Sequence, residues 1–264
     1  MKTVRTVAEV RDAVARSGSI GLVPTMGAFH AGHLALFAAA RAENELVVAS
    51  LFVNPAQFGP SEDLERYPRD GERDARVAEE AGVDVLFAPS TDELYPAGYQ
   101  TWVDVEELSR TLEGEFRPGH FRGMATVCLK LFNIVRPHRA YFGQKDAQQA
   151  AVVKRLVADL NLDLEIRVVP TVRDPDGLAL SSRNAYLSTQ EREEALALPR
   201  ALEAGRDAFV AGLDPATEAK RVLHGLDVDY VETADLDGQR VLAAAVRVGK
   251  TRLIDNVILE GETE

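Results

Sequence analysis

Cysteine is almost missing from this chain: Cys128 is the single one in 264 residues. An intramolecular disulfide and a cysteine-built zinc cluster are thereby excluded, and a reducing compartment is the expected setting. Positive charge is also short, with 30 Lys and Arg against 42 Asp and Glu and a formal net charge of −12. An acidic surface repels a phosphate backbone over roughly a Debye length, so nucleic acid is not an expected partner. A small polyanion is a different matter, because a few local cations in a cleft can hold it. Long apolar runs are missing too. The first residues, MKTVRTVAEVRDAVARSG, alternate charged and apolar side chains. That pattern predicts neither a signal peptide nor a membrane partner, and cytoplasmic localisation follows as the expectation. No GxGxxG occurs, and GKT at 249–251 lacks the first glycine of a phosphate loop because position 244 is Ala. That GKT is expected inside a late strand, not ahead of a helix.

What the chain does have is an alternation. Apolar runs at 20–25, 45–54, 83–89, 139–143 and 164–172 read as buried strands, and amphipathic stretches at 33–43, 71–82, 122–135 and 146–160 read as helices. Strands alternating with helices predict an α/β fold, a doubly wound parallel sheet covered on both faces. After the DPDG turn at 174–177 comes a charged, helix-rich stretch, then VDYVETADL and AAAVRVGKTRLIDNVIL as two strand-like runs. We therefore expect a domain over residues 1–172 and a smaller α+β domain over 173–264.

Three segments carry the chemistry. PTMGAFHAGH (Pro24 to His33) lies between the first of these strands and the helix after it, at the carboxyl edge where open α/β sheets bind ligands. Gly27 and Gly32 allow close backbone approach, and a helix start presents N–H groups to an anion. His30 and His33, three apart, offer imidazole donors to phosphate oxygens, although two histidines so spaced also occur as a plain surface pair or an incidental metal site. FGQKDAQQ (Phe142 to Gln149) repeats the strand-to-helix junction, with Lys145 as a mobile cation, Asp146 as a helix cap and Gln148 and Gln149 as amides for a small polar substrate. A lysine in that position can equally be solvated surface. DGLALSSRNAYLS (Asp176 to Ser188) sets two serines beside Arg183, suited to a triphosphate or simply to a helix cap. In the Pro-, Asn- and Gln-rich stretch 52–70, Gln57 is the side chain of most interest.

His30-Ala31-Gly32-His33 resembles the HxGH signature of the nucleotidylyltransferase superfamily. With FVNPAQF and EDLERYPRD, EGEFRPGHFRGMATVCLKLFN at 113–133, FGQKDAQQ and DGLALSSRN, it runs in the order seen in the pantothenate synthetase family over most of residues 20–190. The resemblance implies a Rossmann-like nucleotide-binding catalytic domain and a C-terminal lid. It implies an ATP-dependent ligase that joins pantoate to beta-alanine through a pantoyl adenylate, with Mg2+ on the phosphates and a homodimeric assembly. Carried over residue by residue, Met26, Gly27, His30, His33, Gly143, Lys145, Asp146, Val172, Leu180, Ser181, Ser182 and Arg183 would form the ATP site. His30, His33, Lys145 and Arg183 would be its catalytic members. Gln57 and Gln149 would hold pantoate, and Gln57 would also face beta-alanine. No protein-borne metal site is implied. Phe29 and Ala31 depart from the Leu and Glu expected in that family, and the resemblance fades after about residue 190. A phosphate-acceptor adenylyltransferase and a non-catalytic nucleotide sensor are the competing readings, and a tRNA synthetase is disfavoured by the acidic charge.

Overall fold

The computed structural model describes residues 1–260 apart from Arg16 and Ser61; Ser61 belongs to the 52–70 stretch, so that position of it lies outside the described residues. Compactness divides the chain at other points than a single cut after residue 172. One unit comprises Met1–Gly143 and Val152–Val169, and the other Gln144–Ala151 and the described residues from Pro170 on.

The first unit contains β1 (Lys2–Val4), α1 (Val7–Val14), β2 (Ile20–Val23), α2 (Ala31–Glu43), β3 (Leu46–Ser50), α3 (Gly71–Glu80), β4 (Val85–Phe87), the single turns α4 (Thr91–Leu94) and α5 (Glu113–Phe116), α6 (His120–Val135) and β5 (Arg139–Gly143). Helix α7 (Ala147–Asp159) begins in the second unit and ends in the first, ahead of β6 (Glu165–Val169). Every strand pairing is parallel, in the order β1-β4-β3-β2-β5-β6. All four residues of β2 are buried, as expected of a strand with helices on both faces. The 3-residue β1 was not among the expected strands, being too short to show a period. The run 45–54 pairs only over Leu46–Ser50, because Asn54 and Pro55 start a 3-10 turn instead.

Chain order reverses direction across the sheet between β2 and β5, with β3 and β4 on one side and β6 on the other. This is the switch point at which loops part and leave a crevice at the carboxyl ends of the strands. On one face Phe37 and Ala40 of α2 and Ala78 of α3 pack on Val23, Val47 and Ala49. Phe29, 1 % exposed, joins that cluster from the β2–α2 loop. It meets Phe37 edge-on at 5.2 Å. Emptying a fully buried phenylalanine site costs about 3–5 kcal/mol, so Phe29 anchors the loop that carries His30.

The second unit holds α8 (Thr189–Ala195), α9 (Ala197–Val210), α10 (Pro215–Val222) and the antiparallel strands β7 (Asp227–Leu236), β8 (Gln239–Val248) and β9 (Thr251–Ile258). Leu198, Ala201 and Leu202 of α9 pack with Val231 and Leu242 of the sheet. The run AAAVRVGKTRLIDNVIL is thus two strands and not one. Gly249 and Lys250 form the tight connection between β8 and β9, so the first two residues of GKT are a hairpin turn and only Thr251 belongs to a strand. The alternation continues on both sides of this turn, so periodicity alone reads through it.

Candidate active site

The β2–α2 loop is held open from beneath by an acid. Asp74, 1 % exposed in the first turn of α3, accepts the backbone N–H of Ala28 through Oδ2 and that of Phe29 through Oδ1, each at 2.8 Å. Gly27 adopts φ +94, and a Cβ there would stand 2.8 Å from Asp74 Oδ2. Only glycine fits both the conformation and the approach. Arg73 Nη2 donates to the Phe29 carbonyl at 3.1 Å. Asp74 was absent from the residues expected in the site, because an acid in the first turn of a charged helix looks like an ordinary cap.

At the start of α2 the two histidines cap the helix reciprocally. Gly32 N–H donates to His30 Nδ1 at 3.1 Å, and His30 N–H donates to His33 Nδ1 at 3.3 Å. This is a capping box built from imidazoles in place of the usual Ser and Glu. Because each Nδ1 accepts, each neutral ring carries its proton on Nε2. The rings lie 4.3 Å apart between centroids, and Phe29 supports His33 at 5.2 Å. Two N–H donors at the positive end of a helix, at the sheet's switch point, suit a phosphate chain.

Gln57 is buried and tied to this loop through Met26, whose Sδ accepts from Nε2 at 3.3 Å. Asn54 Nδ2 donates to Gln57 Oε1 at 3.0 Å and to the Gly123 carbonyl at 3.1 Å. Helix α6 approaches so closely that a Cβ on Gly123 would stand 2.1 Å from the Ala56 carbonyl oxygen. His120, at the start of α6, meets the Gln57 carbonyl at 2.9 Å through Nδ1 and Arg117 Nη1 at 3.2 Å through Nε2. The carbonyl requires a proton on Nδ1, so Nε2 accepts from the guanidinium. Burial, and then the Arg117 charge, push the His120 pKa down to about 4. Arg117 also pairs with Glu62 at 2.7 Å. Burial raises the Glu62 carboxyl, but the Arg117 hydrogen bonds and charge outweigh it and hold the group below its ordinary range. Asn54, Arg117 and His120 were likewise not expected in the site; GHF inside the 113–133 block was the available signal.

The remaining expected residues are divided between the two units. Gly143 ends β5, beside β2 in the first unit. In the second unit Lys145 and Asp146 lie on a 3-10 turn ahead of α7, with Nζ 3.6 Å from Asp146 Oδ1. Gln149 is half-buried in the first turn of α7. Val172 and Leu180 come together, Leu180 N–H donating to the Val172 carbonyl at 3.0 Å. Ser181 caps the 3-10 turn of Ser182–Tyr186, accepting Arg183 N–H at 3.3 Å. The capping role open to the two serines is thus taken by Ser181. Arg192 steadies the preceding turn through Asp174 at 2.6 Å and Asp176 at 2.8 Å.

A doubly wound parallel sheet with an anion-directed helix start at its switch point defines a protein of the nucleotide-binding α/β class. The family model described as pantoate-beta-alanine ligase matches residues 2–258. The pantothenate synthetase of Moorella thermoacetica is 54 % identical, over 98 % of this chain and 99 % of that protein. That of Roseiflexus castenholzii is 53 % identical over 98 % of this chain and 100 % of its own. The crystal structure of pantothenate synthetase from Thermus thermophilus superposes with a TM-score of 0.94 at 48 % identity, covering 98 % of this chain and 99 % of that one. Pantoate-beta-alanine ligase from Francisella tularensis, solved in complex with beta-gamma ATP and beta-alanine, gives 0.86 at 36 % identity, covering 100 % and 99 %. The chain belongs to the pantoate-beta-alanine ligase family.

Proposed function

We propose that this chain condenses (R)-pantoate with beta-alanine at the expense of ATP, as in pantothenate biosynthesis. A carboxylate resists an amine because its charge opposes attack and oxide is a poor leaving group. Pantoate's carboxylate oxygen therefore bonds first to the α-phosphorus, and the bridging oxygen leaves with pyrophosphate. The amine of beta-alanine then adds to the acyl carbon of the mixed anhydride and loses a proton. The bond to AMP breaks, and the amide forms. The enzyme's work is to position the reactants and stabilise developing charge.

The observation that carries this reading is the reciprocal cap of His30 and His33, which fixes both imidazoles at the start of α2, where the helix end favours a phosphate chain. Each preorganised donor at developing charge is worth on the order of 3 kcal/mol. In this reading His30, His33, Lys145 and Arg183 supply such donors. Met26, Gly27, Gly143, Asp146, Val172, Leu180, Ser181 and Ser182 line ATP. Gln57 and Gln149 hold pantoate, and Gln57 also faces beta-alanine. Residues 1–172 serve as the catalytic domain and 173–264 as a lid. No group of three or more His, Cys, Asp or Glu placed to hold a metal occurs among the described residues. In this reading magnesium enters on the ATP phosphates, where it neutralises charge. The family resemblance supports a homodimer. The low cysteine count supports a cytoplasmic setting. Among the described residues no helix is long and apolar enough to cross a membrane.

Isotope exchange between pyrophosphate and ATP tests the reaction order. Exchange should require pantoate and magnesium and proceed without beta-alanine. Exchange that needs beta-alanine, or that runs with no acid present, overturns the order.

A further inference from the structure

We propose that Asn256, on β9 of the C-terminal unit, is a positioning residue for Lys145. Asn256 is 5 % exposed. Its Nδ2 donates one hydrogen to the Gln144 carbonyl and one to the Lys145 carbonyl, each at 2.9 Å. Its Oδ1 accepts from Gln144 Nε2 at 3.1 Å. Both amide hydrogens and the amide oxygen are thus committed to two consecutive residues of the turn that carries Lys145.

Asn256 is itself held. It lies in register with Ala243 of the central strand of the three-stranded sheet. Its backbone N–H donates to Asp255 Oδ1 at 2.8 Å. Arg173 grips Asp255 through both oxygens, at 2.6 and 3.1 Å. The turn bearing Lys145 therefore takes its position from a sheet and not from a mobile loop. That matters because a lysine stem has four rotatable carbons, and only its backbone can be set in advance. Nothing in the sequence joins positions 145 and 256, and the sequence assigns no role to any individual residue beyond about 190.

The inference rests on the reading that Lys145 acts on the ATP phosphates, and it predicts that Asn256 acts through Lys145. Misplacing a reacting group by about 1 Å can cost a hundredfold, so Asn256→Ala should slow single-turnover, pantoate-dependent adenylation by about ten- to a hundredfold. The deciding readout is a double-mutant cycle. In a Lys145→Ala background the same Asn256→Ala change should cost less than about threefold, since the group it positions has gone. Asn256→Ser, which keeps one donor, should fall between parent and alanine variant, and it runs the same cycle if Asn256→Ala does not fold. A loss of equal size in both backgrounds would show that Asn256 only supports the fold and would overturn the proposal, as would a parental rate in Asn256→Ala. A parental rate in Lys145→Ala would instead remove Lys145 from the reaction, and the inference would fall with that reading.

Discussion

His30 and His33 hold each other's place: the backbone N–H of His30 donates to His33 Nδ1 at 3.3 Å, while His30 Nδ1 accepts the Gly32 N–H at 3.1 Å. One nitrogen of each ring does the work of a helix cap, and the other carries the proton. The two jobs are separable by mutation. Glutamine is a standard partner at the third position of a capping box, so His33→Gln should keep the cap and the parental unfolding midpoint. It should lower adenylation by about two orders of magnitude, the scale of one donor at developing charge. Given synthetic pantoyl adenylate, the same variant should form the amide within roughly tenfold of the parent, because pyrophosphate has already left. Equal damage in both half-reactions, measured in single turnover, would make His33 a shaping residue instead.

The clamp beneath the loop gives a second expectation. Asp74→Asn replaces one carboxylate oxygen with an NH2 that faces a backbone N–H, leaving a buried donor without an acceptor at Ala28 or Phe29. A loss of about 1–3 kcal/mol in stability should follow in chemical denaturation. ATP affinity should fall with it, while pantoate affinity changes less. Calorimetry showing both ligands unaffected would separate the clamp from the site.

Acid should destabilise the first unit through His120. Its folded pKa, near 4, lies below the ordinary value of 6.5. The neutral ring is therefore favoured by folding, and this contribution is complete above pH 6.5. It is lost as pH falls from 6.5 towards 4, where the unfolded chain binds the proton and the folded one does not. Between pH 7 and 4.5 the loss amounts to about 2–3 kcal/mol. Glu62, also depressed, loses stability in the same direction, so the variant comparison isolates the imidazole. His120→Asn retains a donor for the Gln57 carbonyl and does not titrate. Denaturation curves at the two pH values should show a smaller difference for it than for the parent; identical differences would assign the acid sensitivity elsewhere.

Gln57→Ala and Gln149→Ala should weaken pantoate far more than ATP. In the proposed reading each removes one amide contact to a charged substrate, worth roughly 1.5–3 kcal/mol, or about ten- to a hundredfold in affinity. For Gln57 the loss also frees Asn54 Nδ2 from its Oε1 partner, so the fold of the variant needs a spectroscopic check. Titration calorimetry in which ATP binding drops equally would break the pantoate assignment.

Residue pattern alone determined the α/β class, the order of the strands from β2 to β6 along the chain, and the segments that carry His30, Gln57, Lys145 and Arg183. It could do so because buried parallel strands and glycine-bearing strand-to-helix junctions leave local marks that need no partner. Tertiary structure decided what joins positions far apart in sequence. Asp74 reaches back 46 residues to Ala28; His120 reaches 63 residues to Gln57; Asn256 reaches 111 residues to Lys145. His120 at least sits in a GHF block, but Asp74 and Asn256 carry no local signature, since a buried acid or asparagine takes its role from the groups it happens to meet. Compact packing, too, joins segments distant in sequence. Gln144–Ala151, which lies within the expected domain of residues 1–172, groups with the second unit, where the carbonyls of its turn find their hydrogen bonds on Asn256.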